Sequence, residues 1–232
     1  MGLGLSTGGT GGGDIKPYVN YDAKAGRMFR VDRFQAGDGT WQTDKAEITN
    51  TVQFVADLAN IRVGWINYTT QGPVRRLVVL GKEPLPARPD DKNADGKPAF
   101  KQGFEIDLVL DKASGGGARV FGSAAGCVIE AMDGLHDAYS GAAESKTGKL
   151  PVVKVAGVTP VKSGQSTNYK PTFAIIGWVD RPALLGSVAA APAANTAPST
   201  GSTQVAPPRT TLLPANNMVP QPAPADVMGD FG

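Results

Sequence analysis

The chain has 232 residues, a formal net charge of +2 and one cysteine, Cys127. A lone cysteine excludes an internal disulfide, and no apolar run approaches the roughly 18 residues that mark a membrane-spanning helix. Because the start of the chain lacks the basic and then apolar pattern of a secretory signal, we expect a soluble, cytoplasmic protein with no membrane partner. The small positive charge permits an anionic partner without requiring one.

Low-complexity segments flank a foldable body. Residues 1–14 are rich in glycine and predict a flexible arm. Residues 187–232 are rich in alanine and proline and carry few charges, so they predict a disordered tail. The apolar and aromatic residues that a core requires lie mainly in residues 15–186, which therefore predict a single domain.

Runs of β-branched, aromatic and alternating residues predict strands in the first half of this domain. The predicted extended segments are 18–21, 27–34, 51–58, 61–68 and 74–80. Gly64 indicates a bulge or a close backbone approach in the fourth segment, which could join the third as one strand bent near Asn60. A helix over 44–58 is a further interpretation that the pattern leaves open. The proline-rich residues 83–99 predict a long exposed loop.

A strand, a glycine-rich turn and a helix follow one another in residues 100–139. From Gly103 to Leu110 apolar residues alternate with mostly polar ones, which predicts a half-buried strand. Apolar residues at helical spacing predict an amphipathic helix over 123–140, with Ser123 as its N-cap. The turn at 115–117 lacks the lysine and the glycine spacing of phosphate-binding loops, so it predicts a hinge.

The order of these elements predicts a mainly β fold. Two more strands, at 150–158 and 171–179, follow the helix. A doubly wound fold needs a helix between successive parallel strands, and the pattern predicts only one helix. The order fits a five-stranded, OB-like Greek-key barrel with one helix between its third and fourth strands. The hairpin at 74–80 and its loop are then an insertion, and the two termini are disordered.

The residues that usually carry catalysis are scarce. His136 is the only histidine and falls within the predicted helix, so neither a histidine metal cluster nor a well-supported catalytic triad is available. Cys127 is expected to be a small core residue. The acidic loop of Asp90, Asp91 and Asp95 lacks the ligand pattern of a calcium loop. We therefore expect no enzyme activity, no metal site and no cofactor.

Basic and aromatic residues are interleaved in the stretches 16–34 and 62–76. Cations can follow phosphates while flat rings stack on unpaired bases. The candidate phosphate contacts are Arg27, Arg30, Arg33, Arg62, Arg75 and Arg76. The candidate stacking residues are Phe29, Trp41, Trp65 and Tyr68. The competing interpretation is structural, because most aromatic residues of a β domain belong to its core and paired arginines often form a solvated face.

The tail ends in DVMGDFG, which restores acidic and apolar side chains after a long bland stretch. Asp226, Asp230 and Phe231 are therefore candidates for a docking tip at the end of a flexible tether. Together with the OB-like order and the interleaved strands, this tip resembles bacteriophage and bacterial single-stranded DNA-binding proteins. The stretches KPYVNYDAKAGRMFRVDR, KLPVVKVAGVTP and NYKPTFAIIGWVDRP are similar to small phage-encoded proteins of that type.

The resemblance implies a protein that coats and protects unpaired DNA, independently of sequence, in phage replication or recombination in the host cytoplasm. It also implies recruitment of replication or recombination proteins through the tip. The alternative function is a β-rich phage structural or assembly protein without DNA affinity, whose arm and tail make protein contacts. Both functions are compatible with a homo-oligomer.

Overall fold

The computed structural model describes residues 17–70 and 72–186. Within these residues the protein is mainly β, with ten strands in one mixed sheet and one α-helix. The predicted arm, the predicted tail and the docking residues Asp226, Asp230 and Phe231 lie outside the described residues. None of the described helices is long and apolar enough to cross a membrane.

The sheet contains short strands in its first half and two long ones at its end. The strands are β1 (Tyr18–Asp22), β2 (Arg27–Gln35), β3 (Trp41–Glu47), β4 (Gln53–Ala56), β5 (Arg62–Thr69), β6 (Gly72–Val79), β7 (Lys101–Leu110), β8 (Ala118–Ser123), β9 (Leu150–Ser163) and β10 (Ser166–Val179). The α-helix, α1, is Gly126–Gly141. Short 3-10 helices cover Leu58–Asn60, Lys112–Ser114, Glu144–Thr147 and Ala183–Leu185.

Strand β7 is the branch point of the sheet, because it pairs with three other strands. β8 lies along one edge, while β4 and β5 share the other, with Val55 opposite Val109 and Trp65 opposite Gln102. The sheet continues from β4 to β9 and β10, from β5 to β6, and from β8 to β1, β2 and β3. The pair β1 and β8 is parallel, whereas the other pairs are antiparallel.

The main core lies between one face of the sheet and α1. The predicted alternation in β7 is confirmed, since Phe104, Ile106 and Leu108 are buried, and so is the helical stripe. The buried helix residues are Val128, Met132, Leu135 and Tyr139. Each such aliphatic side chain stabilises the fold by roughly 1.5–3 kcal/mol. A smaller apolar cluster on the opposite face includes Val55 and Val109 and is covered by Leu185.

Several predicted elements differ from the observed ones. β3 was not predicted, because its side chains are nearly all exposed and show no alternating burial. Its presence excludes a helix over 44–58. β8 intervenes between the glycine turn and α1. The helix begins at Gly126 after Ala125, and Ser123 is not its N-cap, although its hydroxyl accepts a hydrogen bond from the Ala125 backbone N–H.

The close approach expected at Gly64 is confirmed. Its φ is +151°, and a Cβ there would collide with the carbonyl oxygen of Arg76 on β6. The bend near Asn60 is also present, but it separates two strands, because a 3-10 turn at Leu58–Asn60 breaks the pairing. β4 and β5 therefore both pair with β7. The other neighbour of β4 is β9, and the other neighbour of β5 is β6.

The structure does not confirm the five-stranded OB-like barrel, because the sheet has ten strands and the described strands do not close it. The sheet does curl far enough to bring β10 close to the β1–β2 hairpin. The Tyr169 backbone N–H of β10 donates to the carbonyl of Ala23 in the β1–β2 turn at 2.7 Å. The Tyr21 hydroxyl donates to the Tyr169 carbonyl at 3.0 Å. These bonds link the first part of β10 to the β1–β2 hairpin without a strand pair.

Candidate nucleic-acid interface

The strand registers decide which predicted binding residues share a surface. Side chains alternate between the two faces of a sheet, and residues opposite each other on neighbouring strands share a face. We call the face that carries Phe104 and Ile106 the inner face, because it packs against α1, and the opposite one the outer face. The registers from β3 through β8 and β7 to β6 then assign every candidate.

Most of the candidates lie on the outer face. The registers place there Arg27, Phe29, Arg33, Trp41, Arg62, Tyr68 and Arg75. The inner-face side carries Arg30, Trp65 and Arg76. The structure therefore brings the first group together across seven neighbouring strands and separates the other three from it.

Strands β1, β2 and β3 carry a group that we call the aromatic patch, defined as Tyr18, Phe29, Arg33, Trp41 and Lys45. Trp41 is 59% exposed and Tyr18 is 40% exposed. The Lys45 ammonium lies 4.0 Å from the centroid of the Phe29 ring, which is cation–π distance. Arg33 is exposed, and its guanidinium has no hydrogen bond or ion pair among residues 17–70 and 72–186. The patch therefore offers flat rings and positive charge to solvent.

The centre of the outer face is an ion-pair cluster of Arg62, Arg75, Glu105 and Asp107. Arg62 Nη1 lies 2.7 Å from Asp107 Oδ2, and its Nη2 lies 3.0 Å from Glu105 Oε1. Arg75 Nε lies 2.6 Å from Glu105 Oε2. Burial by itself lowers the pKa of Arg62, but the hydrogen bond to Asp107 and the charges of both carboxylates outweigh it and raise that pKa. Two cations and two anions leave this cluster neutral.

Two other arginines are also paired. Arg27 Nη1 lies 3.0 Å from Glu47 Oε2, in an exposed pair on the outer face. Arg30 Nη2 lies 2.7 Å from Asp44 Oδ2, and Arg30 Nε lies 3.1 Å from Asp32 Oδ2. The Arg30 guanidinium packs so closely on Gly115 that a Cβ there would collide with it. Arg30 therefore supports the glycine turn and does not face the candidate binding surface.

Trp65 is covered by the loop between β6 and β7. Its indole Nε1 donates to the carbonyl of Pro86 at 2.8 Å, and the Arg88 guanidinium carbon lies 5.3 Å from its ring centroid. Arg88 is held in place by bonds to the Phe100 carbonyl. Trp65 therefore fixes the predicted loop and is not free to stack on a base in this conformation.

A shallow cleft of about 300 Å³ lies beside the cluster on the outer-face side. Tyr68, Lys101 and Asn20 line it together with the backbone at Gly122. Burial raises the pKa of the Tyr68 phenol, Arg75 opposes this shift, and Glu105 adds to it. Lys101 and Lys45 were not among the candidates from the sequence. Lys45 lies in β3, whose sequence shows no alternation of polar and apolar residues. Lys101 is the first residue of β7 and lies outside the two stretches of interleaved basic and aromatic residues.

No protein-family model, curated protein or solved structure matches the chain significantly. Among the described residues, no three His, Cys, Asp or Glu side chains gather as they would around a metal ion. Evidence for a function therefore comes from the outer face, where the cleft lined by Tyr68 (the Tyr68 cleft) lies next to both the aromatic patch and a neutral ion-pair cluster.

Proposed function

We propose that the protein binds single-stranded DNA, independently of sequence, across the outer face of its sheet. The observation that carries this proposal is the aromatic patch, in which exposed rings and two cations share one face of three consecutive strands. Rings of this kind stack on unpaired bases, and every base offers a flat face, so such binding depends little on sequence. Arg33 and Lys45 supply charge for the phosphates, since neither is paired with a described carboxylate.

The single-stranded form fits this surface better than a duplex. The bases of a duplex are already stacked, so an open sheet face with separate exposed rings gains stacking energy only from bases that are free. The one described α-helix, α1, packs its apolar stripe into the core, so that side of α1 is not available to enter a groove of duplex DNA.

The finer parts of the proposal rest on other observations. A relationship to OB folds is supported by the bonds that link Tyr169 to Ala23 and Tyr21 and bring β10 close to the β1–β2 hairpin. A role in phage replication or recombination, in the host cytoplasm, is supported by the sequence resemblance. Recruitment of replication proteins through Asp226, Asp230 and Phe231 is supported by the DVMGDFG pattern alone.

Tryptophan fluorescence tests the proposed function directly. Trp65 is covered by the loop between β6 and β7, and the ring of Trp178 stacks on that of Tyr139 with 6.0 Å between the ring centroids. Trp41 is exposed. Oligothymidylate is therefore expected to quench the native protein, and the quenching is expected to vanish in Trp41→Phe and to persist in Trp178→Phe. Absence of quenching at low salt, or equal affinity for duplex DNA, would contradict the proposal.

One observation favours the alternative function of a structural or assembly protein. β3 is the last strand at its end of the sheet, and Phe34 beside it is 47% exposed. A free edge with apolar neighbours can pair with a strand of another chain. A regular oligomer on size-exclusion chromatography, combined with no binding to oligothymidylate, would support this function in place of DNA binding.

A further inference from the structure

We infer that Glu105 limits the strength and the salt dependence of nucleic-acid binding by holding Arg62 and Arg75 away from phosphates. The inference rests on the proposed function, because it concerns the same outer face. It assigns to a carboxylate, and not to a cation or an aromatic ring, the control of affinity on this surface.

The geometry of Glu105 supports this role. Its side chain is 13% exposed and lies on β7, directly opposite Arg62 on β5. One carboxylate oxygen bonds Arg62 and the other bonds Arg75, so a single side chain engages both arginines. Asp107 bonds Arg62 through its second terminal nitrogen. Both guanidinium groups therefore have charged partners before any ligand arrives.

The cluster also lies close to the two parts of the surface that are proposed to bind DNA. Glu105 is paired with Gly122, which lines the Tyr68 cleft, and Asp107 is paired with Val120, which lies opposite Tyr18 of the aromatic patch. From Phe29 on β2 to Tyr68 on β5 the sheet passes four strand spacings, which is roughly 19 Å. The cleft reaches Asn20, which is paired with Phe29, so a DNA strand that runs from the patch through the cleft to Tyr68 passes beside Glu105.

Electrostatics determines how the carboxylates of the cluster affect the affinity for DNA. A phosphate beside Arg62 or Arg75 must either displace a carboxylate from a charge-assisted hydrogen bond or accept its repulsion. In the native protein these arginines therefore neutralise few phosphates, and few of the counterions condensed on the DNA are released there. Removing the charge of Glu105 leaves the cluster with a net positive charge, and an additional phosphate can then be neutralised there.

The test compares Glu105→Gln with Glu130→Gln in oligothymidylate titrations over a series of salt concentrations. Glu130→Gln is the matched control, because it changes the net charge by the same amount. Glu130 lies on α1, where it pairs with Lys170. We expect Glu105→Gln to bind several-fold more tightly at low salt. Its plot of log K against log salt is expected to be steeper by about 0.7 for one additional phosphate. Glu130→Gln is expected to match the native protein.

A thermal melt of each variant identifies any loss of folding. If Glu105→Gln does not fold, Asp107→Asn provides a second test, because it removes one of the two carboxylates paired with Arg62, leaves the cluster with a net positive charge and lies at a more exposed position. If the native protein binds and neither variant differs from Glu130→Gln, or Glu105→Gln binds more weakly, the inference is overturned while the proposed function stands. Binding by Glu105→Gln but not by the native protein overturns the proposed function, although it shows that Glu105 opposes binding, and binding by none of the proteins overturns both proposals.

Discussion

Arg181 donates hydrogen bonds from both terminal nitrogens to the two carboxylate oxygens of Asp57, although the residues are 124 positions apart. Asp57 is 2% exposed and also accepts bonds from the Asn60 side-chain amide. Arg181 further donates to the carbonyls of Leu185 and Gly186. The pair therefore attaches the segment after β10 to the bend between β4 and β5, where the sheet branches.

This buried pair predicts a large effect on stability when it is broken. Arg181→Ala leaves the Asp57 carboxylate buried without its charged partner, which costs about 3–5 kcal/mol in the free energy of unfolding. Urea denaturation measures that free energy. Lys97→Ala is the control, because it breaks the solvated pair with Asp95, and no measurable change is expected there. A loss of equal size in both variants would contradict the structural role of Arg181.

The aromatic patch predicts different effects for two exposed rings of the same hairpin. Trp41 lies on the outer face, whereas Phe34, paired with Gln42, lies on the opposite one. Trp41→Ala is expected to weaken oligothymidylate binding by roughly 1–3 kcal/mol, which is the contribution of one stacked base. Phe34→Ala is expected to leave the affinity unchanged, as measured by anisotropy of a labelled oligonucleotide. Equal losses in the two variants would indicate a general effect of hairpin hydrophobicity.

Two unpaired arginines provide a test of which face binds phosphate. Arg33 is on the outer face and Arg76 on the inner-face side, and neither has a partner among the described residues. Arg33→Ala is expected to reduce the salt slope of single-strand binding by about 0.7, because one phosphate contact is lost. Arg76→Ala is expected to preserve the slope. The opposite result would place the DNA on the other side of the sheet.

Tyr21 predicts a loss of stability at alkaline pH. Burial, with smaller contributions from Cys127 and Asp22, raises its pKa from 10.0 to about 12. The folded protein therefore keeps the phenol protonated where the unfolded chain loses its proton. This stabilisation is complete below pH 10 and is lost as the pH rises to about 12. Denaturation followed from pH 8 to 12 should show the decline.

Tyr21→Phe separates this titration from the hydrogen bond of the same side chain. At pH 7 the variant is expected to be less stable by about 0.5–1.5 kcal/mol, because the bond to the Tyr169 carbonyl is lost. Between pH 10 and 12 its stability should fall less steeply than that of the native protein. An unchanged alkaline slope would show that other groups are responsible for the decline.

The class of fold and much of its core could be predicted from the sequence by itself. The alternation around Phe104 and the helical spacing from Val128 to Tyr139 depend on local periodicity, and burial follows from periodicity wherever one face meets a core. The need for glycine at position 64 was also visible locally, although its cause, the carbonyl of Arg76, was not. β3 was missed because an exposed edge strand has no buried side to produce an alternating pattern.

Only the tertiary structure decided which candidates form one surface. Strand register determines the face of each side chain, and register depends on pairing between segments far apart in the chain. Arg62 met Glu105 and Asp107, and Trp65 met Pro86, through such distant pairings. The sequence by itself therefore determined a mainly β domain with two stretches of interleaved basic and aromatic residues. The structure decided that Arg33, Trp41 and Lys45 are open to a ligand while Arg62 and Arg75 are already neutralised, because the position of a carboxylate cannot be read from local pattern.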